Sequence, residues 1–236
     1  MEPFQFKEFT VHQDRCAMKI GTDGVLLGAW AGEGLQPDSI LDVGAGTGVI
    51  ALQMAQRFDA QIIDAVEIDT EAYEQCQENF ERAPWGDRLF CYHAAFQEFA
   101  QEIEEEYDLI VSNPPFYTED YRSDDPQRDQ ARFNDALPFD HLLVCAAHML
   151  SFNGVVALVV PHTEEETVIS IAQQLGLFPI RICRVRGNSD SPIKRSLMEF
   201  SFQDEAAVIS ELTIEIERHE YTPEYKALVS KFYLKM

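Results

Sequence analysis

Ile40-Leu-Asp-Val-Gly-Ala-Gly-Thr-Gly-Val-Ile50, ILDVGAGTGVI, runs from an apolar segment through three glycines into a second apolar segment. The first segment reads as a buried strand. The second continues as VIALQMAQRF, with apolar residues at helical spacing. Gly44, Gly46 and Gly48 permit a tight turn and a close approach of backbone to ligand. A dinucleotide fingerprint would need a glycine at 49, where Val49 stands. The loop therefore suits a nucleoside-sized cofactor better than a pyrophosphate. Glu67 closes the next strand-like run, IIDAVEID, where an acid can accept hydrogen bonds from both ribose hydroxyls. A plain strand-to-helix turn would not require strand, loop, helix and acid to agree in this way.

Outward from this unit the alternation continues. TEAYEQCQENFERA reads as a helix capped by Asp69 or Thr70. RLFCYHAAF and YDLIVSN read as a third and a fourth strand, and the acidic EIEEEYD between them as a solvated helix end or loop. LPFDHLLVCAAHML is a helix, NGVVALVVP a fifth strand, and EEETVISIAQQLG a helix stopped by Gly176. Strand-like runs follow around 178–187 and 196–202, with little helix between them, which suggests an antiparallel strand inserted late. Strands alternating with helices define an α/β chain with a mostly parallel sheet covered on both faces. One domain is expected over 1–236, with 1–36 as an N-terminal extension on the cofactor side of a core at 37–236.

The chain has 236 residues, 46% of them hydrophobic, enough for a full core. No apolar run reaches the roughly 18 residues of a membrane span, and MEPFQFKEF has no signal-peptide pattern. The five cysteines are scattered without a CxxC pair, which argues against zinc and disulfides and for a reducing, cytoplasmic setting. The six histidines, His162 among them, show no ligand spacing and read as structural or surface residues, so no metal is expected. A net charge of −23 counts against a generic nucleic-acid binder. One stretch, RICRVRGNSDSPIKR at 181–195, sets Arg181, Arg184, Arg186, Lys194 and Arg195 against Asp190 alone. It is either a phosphate-binding patch or a solvated basic surface.

The fourth strand ends in Asp108-Leu-Ile-Val-Ser-Asn-Pro-Pro-Phe116. Two prolines cannot extend a sheet ladder, because neither has an N–H to donate. Their stiffness suits a fixed pair of acceptors, the Asn113 side-chain oxygen and the Pro114 carbonyl. Aimed at the two N–H bonds of a planar amine, such a pair draws the nitrogen toward a tetrahedral, nucleophilic shape. Pro115 holds the backbone beyond, and Phe116 offers a flat face for a stacked base. The ordinary alternative is a strand-terminating turn, since Asn-Pro is a common turn signal.

The glycine loop, Glu67 and NPPF together resemble the class I S-adenosylmethionine-dependent methyltransferases. The resemblance implies a Rossmann-like sheet of seven strands, one antiparallel, with S-adenosyl-L-methionine beside Asp42, Gly44, Ala45, Gly46 and Gly48. It also implies Glu67 on the ribose, with Ile68, Ala95 and Asn113 nearby. Ala95 stands where many such enzymes carry an acid for the cofactor adenine. NPPF implies an amine or amide target: adenine N6, cytosine N4, guanine N2 or glutamine N5. The segment FTVHQDRCAMKIGTDGVLLGAW carries a candidate helix cap at Thr22 or Asp23. Taken with DAVEI, QENFERAPWGDR, SNPPF, PQRDQAR and YTPEYKALVSKFYLKM, it is similar to the bacterial valine-tRNA adenine-37 N6-methyltransferase family. That implies a tRNA anticodon stem-loop as partner, Thr22 and Asp23 near the cofactor, and Asn113 to Phe116 on the target adenine. Arg128 and Arg132, spaced by four, would grip phosphate beside the flipped base, with Arg181, Lys194 and Arg195 as further RNA contacts. Guanine-N2 methylation of ribosomal RNA and glutamine-N5 methylation of a translation factor are the alternatives.

Overall fold

The computed structural model describes residues 2–115 and 137–236. Two short strands, β1 (Phe4–Gln5) and β2 (Thr10–Val11), pair antiparallel and lead into helix α1 (Thr22–Trp30). The alternating core follows: β3 (Ser39–Val43), α2 (Val49–Arg57), β4 (Ile62–Glu67), α3 (Thr70–Arg82), β5 (Leu89–His93), α4 (Phe96–Glu102) and β6 (Tyr107–Ser112). It resumes with α5 (Phe139–Met149), β7 (Leu150–Pro161), α6 (Glu165–Gln174), β8 (Phe178–Arg186), β9 (Ile193–Ser201) and β10 (Val208–Thr213). A small hairpin, β11 (Glu215–Glu217) and β12 (Glu220–Tyr221), precedes helix α7 (Pro223–Val229).

The main sheet runs β10-β8-β9-β7-β6-β3-β4-β5. Only β9 is antiparallel to its neighbours β7 and β8; the other pairs are parallel. The sheet has eight strands, one more than the seven expected. The addition is β10, which pairs along β8 from Val208↔Arg181 to Thr213↔Arg186.

Period-two alternation sorts the strand residues between two apolar layers. On β7, Val155, Ala157 and Val159 join the core under α1, α2 and α7. Val156, Leu158 and Val160 join the core under α4, α5 and α6. The central strands are therefore apolar on both faces, as a sheet covered by helices on both sides requires. The Asp69 carboxylate caps α3 by accepting from the Ala72 N–H at 2.8 Å. At α1 the capping position is Gly21 with no side-chain cap, so neither Thr22 nor Asp23 serves there. Asp23 is engaged by Arg195 instead. Among the described residues no helix is long and apolar enough to cross a membrane.

Candidate active site

Parallel strands place all their carboxyl ends on one edge, and ligands of such sheets bind there. β3 and β6 are neighbours, with Val43 in register with Ser112. The glycine loop after Val43 and Asn113 after Ser112 therefore leave the sheet side by side. Ser112 ties the two strands again: its hydroxyl donates to the Val43 carbonyl at 2.8 Å.

Gly44, Gly46 and Gly48 all have positive φ, at 71°, 55° and 77°. Their surroundings differ. A Cβ on Gly44 or Gly46 would meet nothing within 4 Å. A Cβ on Gly48 would lie 2.6 Å from Phe80 Cε1 and 2.8 Å from Cys76 Sγ. Gly48 is thus a packing glycine under α3, while Gly44 and Gly46 open onto the cleft. Glu67, at the end of β4, is buried and holds the loop. Its carboxylate accepts from the Gly46 N–H at 2.7 Å and from the Asp69 N–H at 2.9 Å. Burial pushes this carboxyl up from its ordinary value, against the pull of those amides. Ile68 next to it is 46% exposed, a large apolar side chain left uncovered at the cleft.

Asp42 lies fully buried in β3. One carboxylate oxygen accepts from the Ala51 N–H at 3.0 Å; the other has no hydrogen-bond partner among the described residues. Burial pushes this carboxyl up to about 7. Ala95 takes the N-terminal position of α4, its carbonyl accepting from Glu98 and Phe99 N–H at 3.0 Å each. An open glycine edge, a buried acid at the end of β4, an uncovered Ile68 and an orphaned carboxylate oxygen fit a nucleoside-bearing cofactor in this cleft.

Asn113 is partly buried, Pro114 buried and Pro115 exposed. Helix α1 abuts this end: a Cβ on Gly24 would lie 3.8 Å from Asn113 Nδ2 and 3.7 Å from Val49 Cγ1. The N-terminal segment thus bears on both the proposed acceptor and the start of α2. Thr22 is exposed, and Asp23 accepts from Arg195 Nε at 2.8 Å. Phe116, Arg128 and Arg132 lie outside the described residues.

The basic stretch divides. Arg181 is bound inward: its guanidinium sits 3.9 Å from the Trp30 ring centroid and donates to both Glu199 oxygens at 2.9 Å. It also reaches Glu33 and the Trp30 carbonyl. Glu199 in turn accepts from the Gly32 N–H at 2.7 Å. Arg181 therefore fastens β8 and β9 to the end of α1, and the geometry removes it from the RNA-facing set. Arg184 is clamped on Glu165 and Arg186 on Glu211. Lys194, which is exposed, and Arg195 remain near the carboxyl edge.

Sequence reasoning missed one cluster. Just past β7, the His162 Nδ1 lies 3.1 Å from Glu165 Oε2 and 3.0 Å from Ser196 Oγ. Ser196 also donates to Glu165, and Arg184 binds the same carboxylate at 2.7 Å. The signal available in the sequence was the spacing of His162 and Glu165 by three, directly after a core strand.

These features define a class I methyltransferase. The methyltransferase small domain family model matches residues 25–166. The fold is similar to a predicted O-methyltransferase from Agrobacterium tumefaciens, with a TM-score of 0.68 at 18% identity over 89% of this chain and 96% of that one. Two curated relatives narrow the class. Both are named tRNA1(Val) (adenine(37)-N6)-methyltransferase. One, from Christiangramia forsetii, is 60% identical over 100% of this chain and 99% of its own. The other, from Flavobacterium johnsoniae, is 58% identical over 99% of this chain and 100% of its own. The chain belongs to the tRNA1(Val) (adenine(37)-N6)-methyltransferase family.

Proposed function

We propose that this enzyme methylates the N6 amine of adenine 37, beside the anticodon of tRNA1(Val), using S-adenosyl-L-methionine. The carrying observation is the register of Val43 with Ser112, which brings the glycine loop and Asn113 together at one edge of the sheet. When bound, the cofactor supplies an electrophilic methyl group on its sulfonium. Gly44, Ala45, Gly46 and Asp42 would hold it, and Glu67 would accept from its ribose hydroxyls. Ile68 and the backbone at Ala95 would pack beside its adenine.

The amine nitrogen is a poor nucleophile because its lone pair is delocalised into the purine. Asn113 Oδ1 and the Pro114 carbonyl accept its two N–H bonds and stabilise the positive charge that grows on nitrogen. Pro115 fixes the carbonyl so that little reorganisation accompanies the transfer. Phe116 stacks on the flipped base. Thr22 and Asp23 complete the cofactor side, so the segment 1–36 and the core 37–236 act as one catalytic unit. The anticodon stem-loop is held by Lys194, Arg195, Arg128 and Arg132. The setting is cytoplasmic and no metal takes part.

Mass spectrometry of nucleosides from tRNA1(Val), incubated with enzyme and labelled cofactor, tests the reading. N6-methyladenosine at position 37 is expected. Label in guanine of ribosomal RNA, or in glutamine of a translation factor, with none in tRNA would replace it. The acceptor pair serves all three targets. The identity of this chain to its relatives across its full length favours adenine.

A further inference from the structure

We propose that His162 reads the RNA itself, accepting a hydrogen bond from the ribose 2′-hydroxyl of a nucleotide flanking the target adenine. The inference rests on the tRNA reading above and adds to it a residue that distinguishes RNA from DNA.

The tautomer is forced by the partners. Nδ1 faces Glu165 Oε2 at 3.1 Å and Ser196 Oγ at 3.0 Å. An ionised carboxylate only accepts, and the one hydroxyl proton of Ser196 is already given to Glu165. Nδ1 must therefore carry the hydrogen, so that it is Nε2 that presents a lone pair whenever the ring is neutral. Burial tends to raise the Glu165 carboxyl. Hydrogen bonds from Arg184 and Ser196, with the charge of Arg184, outweigh this and hold it below its ordinary value. It is thus a carboxylate at the pH of the reaction.

The cluster is anchored on the inside and open on the outside. Glu165 is 2% exposed and Ser196 0%, whereas the His162 side chain is 35% exposed. Nε2 lies across the ring from the tethered Nδ1, and among the described residues it has no hydrogen-bond partner. Glu165 already takes Arg184 and Ser196, so its charge is satisfied without an imidazole. A rigidly oriented acceptor is what the histidine adds.

Its place in the fold selects the ligand. Ser112 is in register with Leu158; Asn113 follows the first by one residue and His162 the second by four. With neighbouring strands about 4.8 Å apart and a rise of about 3.3 Å per residue, the end of β7 at Pro161 lies roughly 8 Å from Asn113, and His162 opens the turn just beyond it. That is too far for the target base and suits the sugar of a neighbouring nucleotide. The ribose 2′-hydroxyl is the donor present there in RNA and absent in DNA.

The test uses full-length enzyme, S-adenosylhomocysteine and tRNA1(Val) anticodon stem-loops carrying a single 2′-deoxy substitution on either side of adenine 37. Wild-type binding should weaken about 3- to 10-fold for one of the two, the size of one lost hydrogen bond. His162→Asn keeps a group near the Nδ1 position and lacks Nε2; it should bind the ribose and deoxy forms equally. His162→Gln restores an acceptor near the Nε2 position and should regain the discrimination. Cofactor affinity and melting temperature establish that both variants are folded. Equal discrimination by wild type and His162→Asn, or none by wild type at either position, overturns the assignment. A uniform loss in His162→Asn with a salt slope reduced by about one unit would put the imidazole on a phosphate and overturn it equally. Wild-type enzyme that leaves adenine 37 of the all-ribose stem-loop unmethylated would refute the tRNA reading, and this inference with it.

Discussion

Gly46→Ala and Gly48→Ala each add one methyl group, two positions apart, yet the structure separates their consequences. Both residues hold a left-handed backbone, at φ 55° and 77°. Placing a Cβ in that region costs about 1–2 kcal/mol at either position. At Gly46 nothing more is added to the apo protein, because the new methyl meets no atom within 4 Å. For a chain of this size the loss corresponds to a fall of roughly 2–8 °C in melting temperature. The open space is the proposed cofactor bed, where a methyl in packed contact costs a further ~1–3 kcal/mol of binding. Isothermal titration with S-adenosyl-L-methionine should show Kd raised roughly 5- to 150-fold. At Gly48 the methyl instead meets Phe80 at 2.6 Å and Cys76 at 2.8 Å, both buried. Strain and overpacking together reach about 2–5 kcal/mol, a large share of the stability of an ordinary domain. Gly48→Ala should therefore melt far earlier than Gly46→Ala. A folded Gly46→Ala protein with wild-type cofactor affinity would refute the assignment of the loop, and a Gly48→Ala protein as stable as wild type would refute the packing argument.

Asn113→Ala removes one of the two proposed acceptors, so kcat should fall on the order of 10²–10³-fold while cofactor affinity changes little; single-turnover methylation of tRNA separates the two. Asp42 supplies a pH dependence. Its folded carboxyl is raised to about 7, so the stability this group contributes is full below the unfolded value near pH 4 and is lost as pH rises through 7. Denaturant titrations of the cofactor-free enzyme should show Asp42→Asn gaining on wild type from pH 5 to pH 8, by at most ~3 kcal/mol; a constant difference would mean that Asp42 is already ionised. The double variant Lys194→Ala, Arg195→Ala should bind tRNA more weakly and flatten the salt dependence by up to about two units of slope. Unchanged affinity and slope would leave the RNA contact to Arg128 and Arg132.

The part of the fold that positions the site is written in local signals. The run from β3 through α3 carries a strand, three glycines, an amphipathic helix and a strand-end acid within 43 residues, from Ile40 to Arg82. Asp69 caps α3 as its position suggests. What escaped depends on partners distant in sequence or on surfaces without a burial pattern. Strand β10 is exposed along most of its length, Val208 and Ile209 included, so no alternation marks it. Helix α4 is seven residues long and starts at Ala95 without a side-chain cap. Asp23 looked like a cap because a cap is a local object; its actual partner, Arg195, is 172 residues away. Asn113 was legible as a stiff strand end, but the approach of Gly24 to it follows from the docking of α1 on α2.

Charge is where the linear reading was most misleading, and the reason bears on how an acidic protein recognises RNA. Residues 181–195 carry five basic side chains against one acidic one. In three dimensions β8 brings Arg181, Arg184 and Arg186 against Glu199, Glu165 and Glu211. These arginines hold the sheet together, and their charge is spent locally. Arg195 meets Asp23, but that pair is about 30% exposed on each side and can exchange a carboxylate for a phosphate at modest cost. With 41 acidic residues against 18 basic ones, net charge opposes long-range attraction to tRNA and lowers non-specific affinity for nucleic acid. On the proposed reading, discrimination then falls on short-range groups at the carboxyl edge of the sheet: the acceptors at Asn113 and Pro114, and the tethered imidazole of His162. Such a charge balance disfavours nucleic acid that offers no short-range contact, which fits a task confined to one adenine in one tRNA.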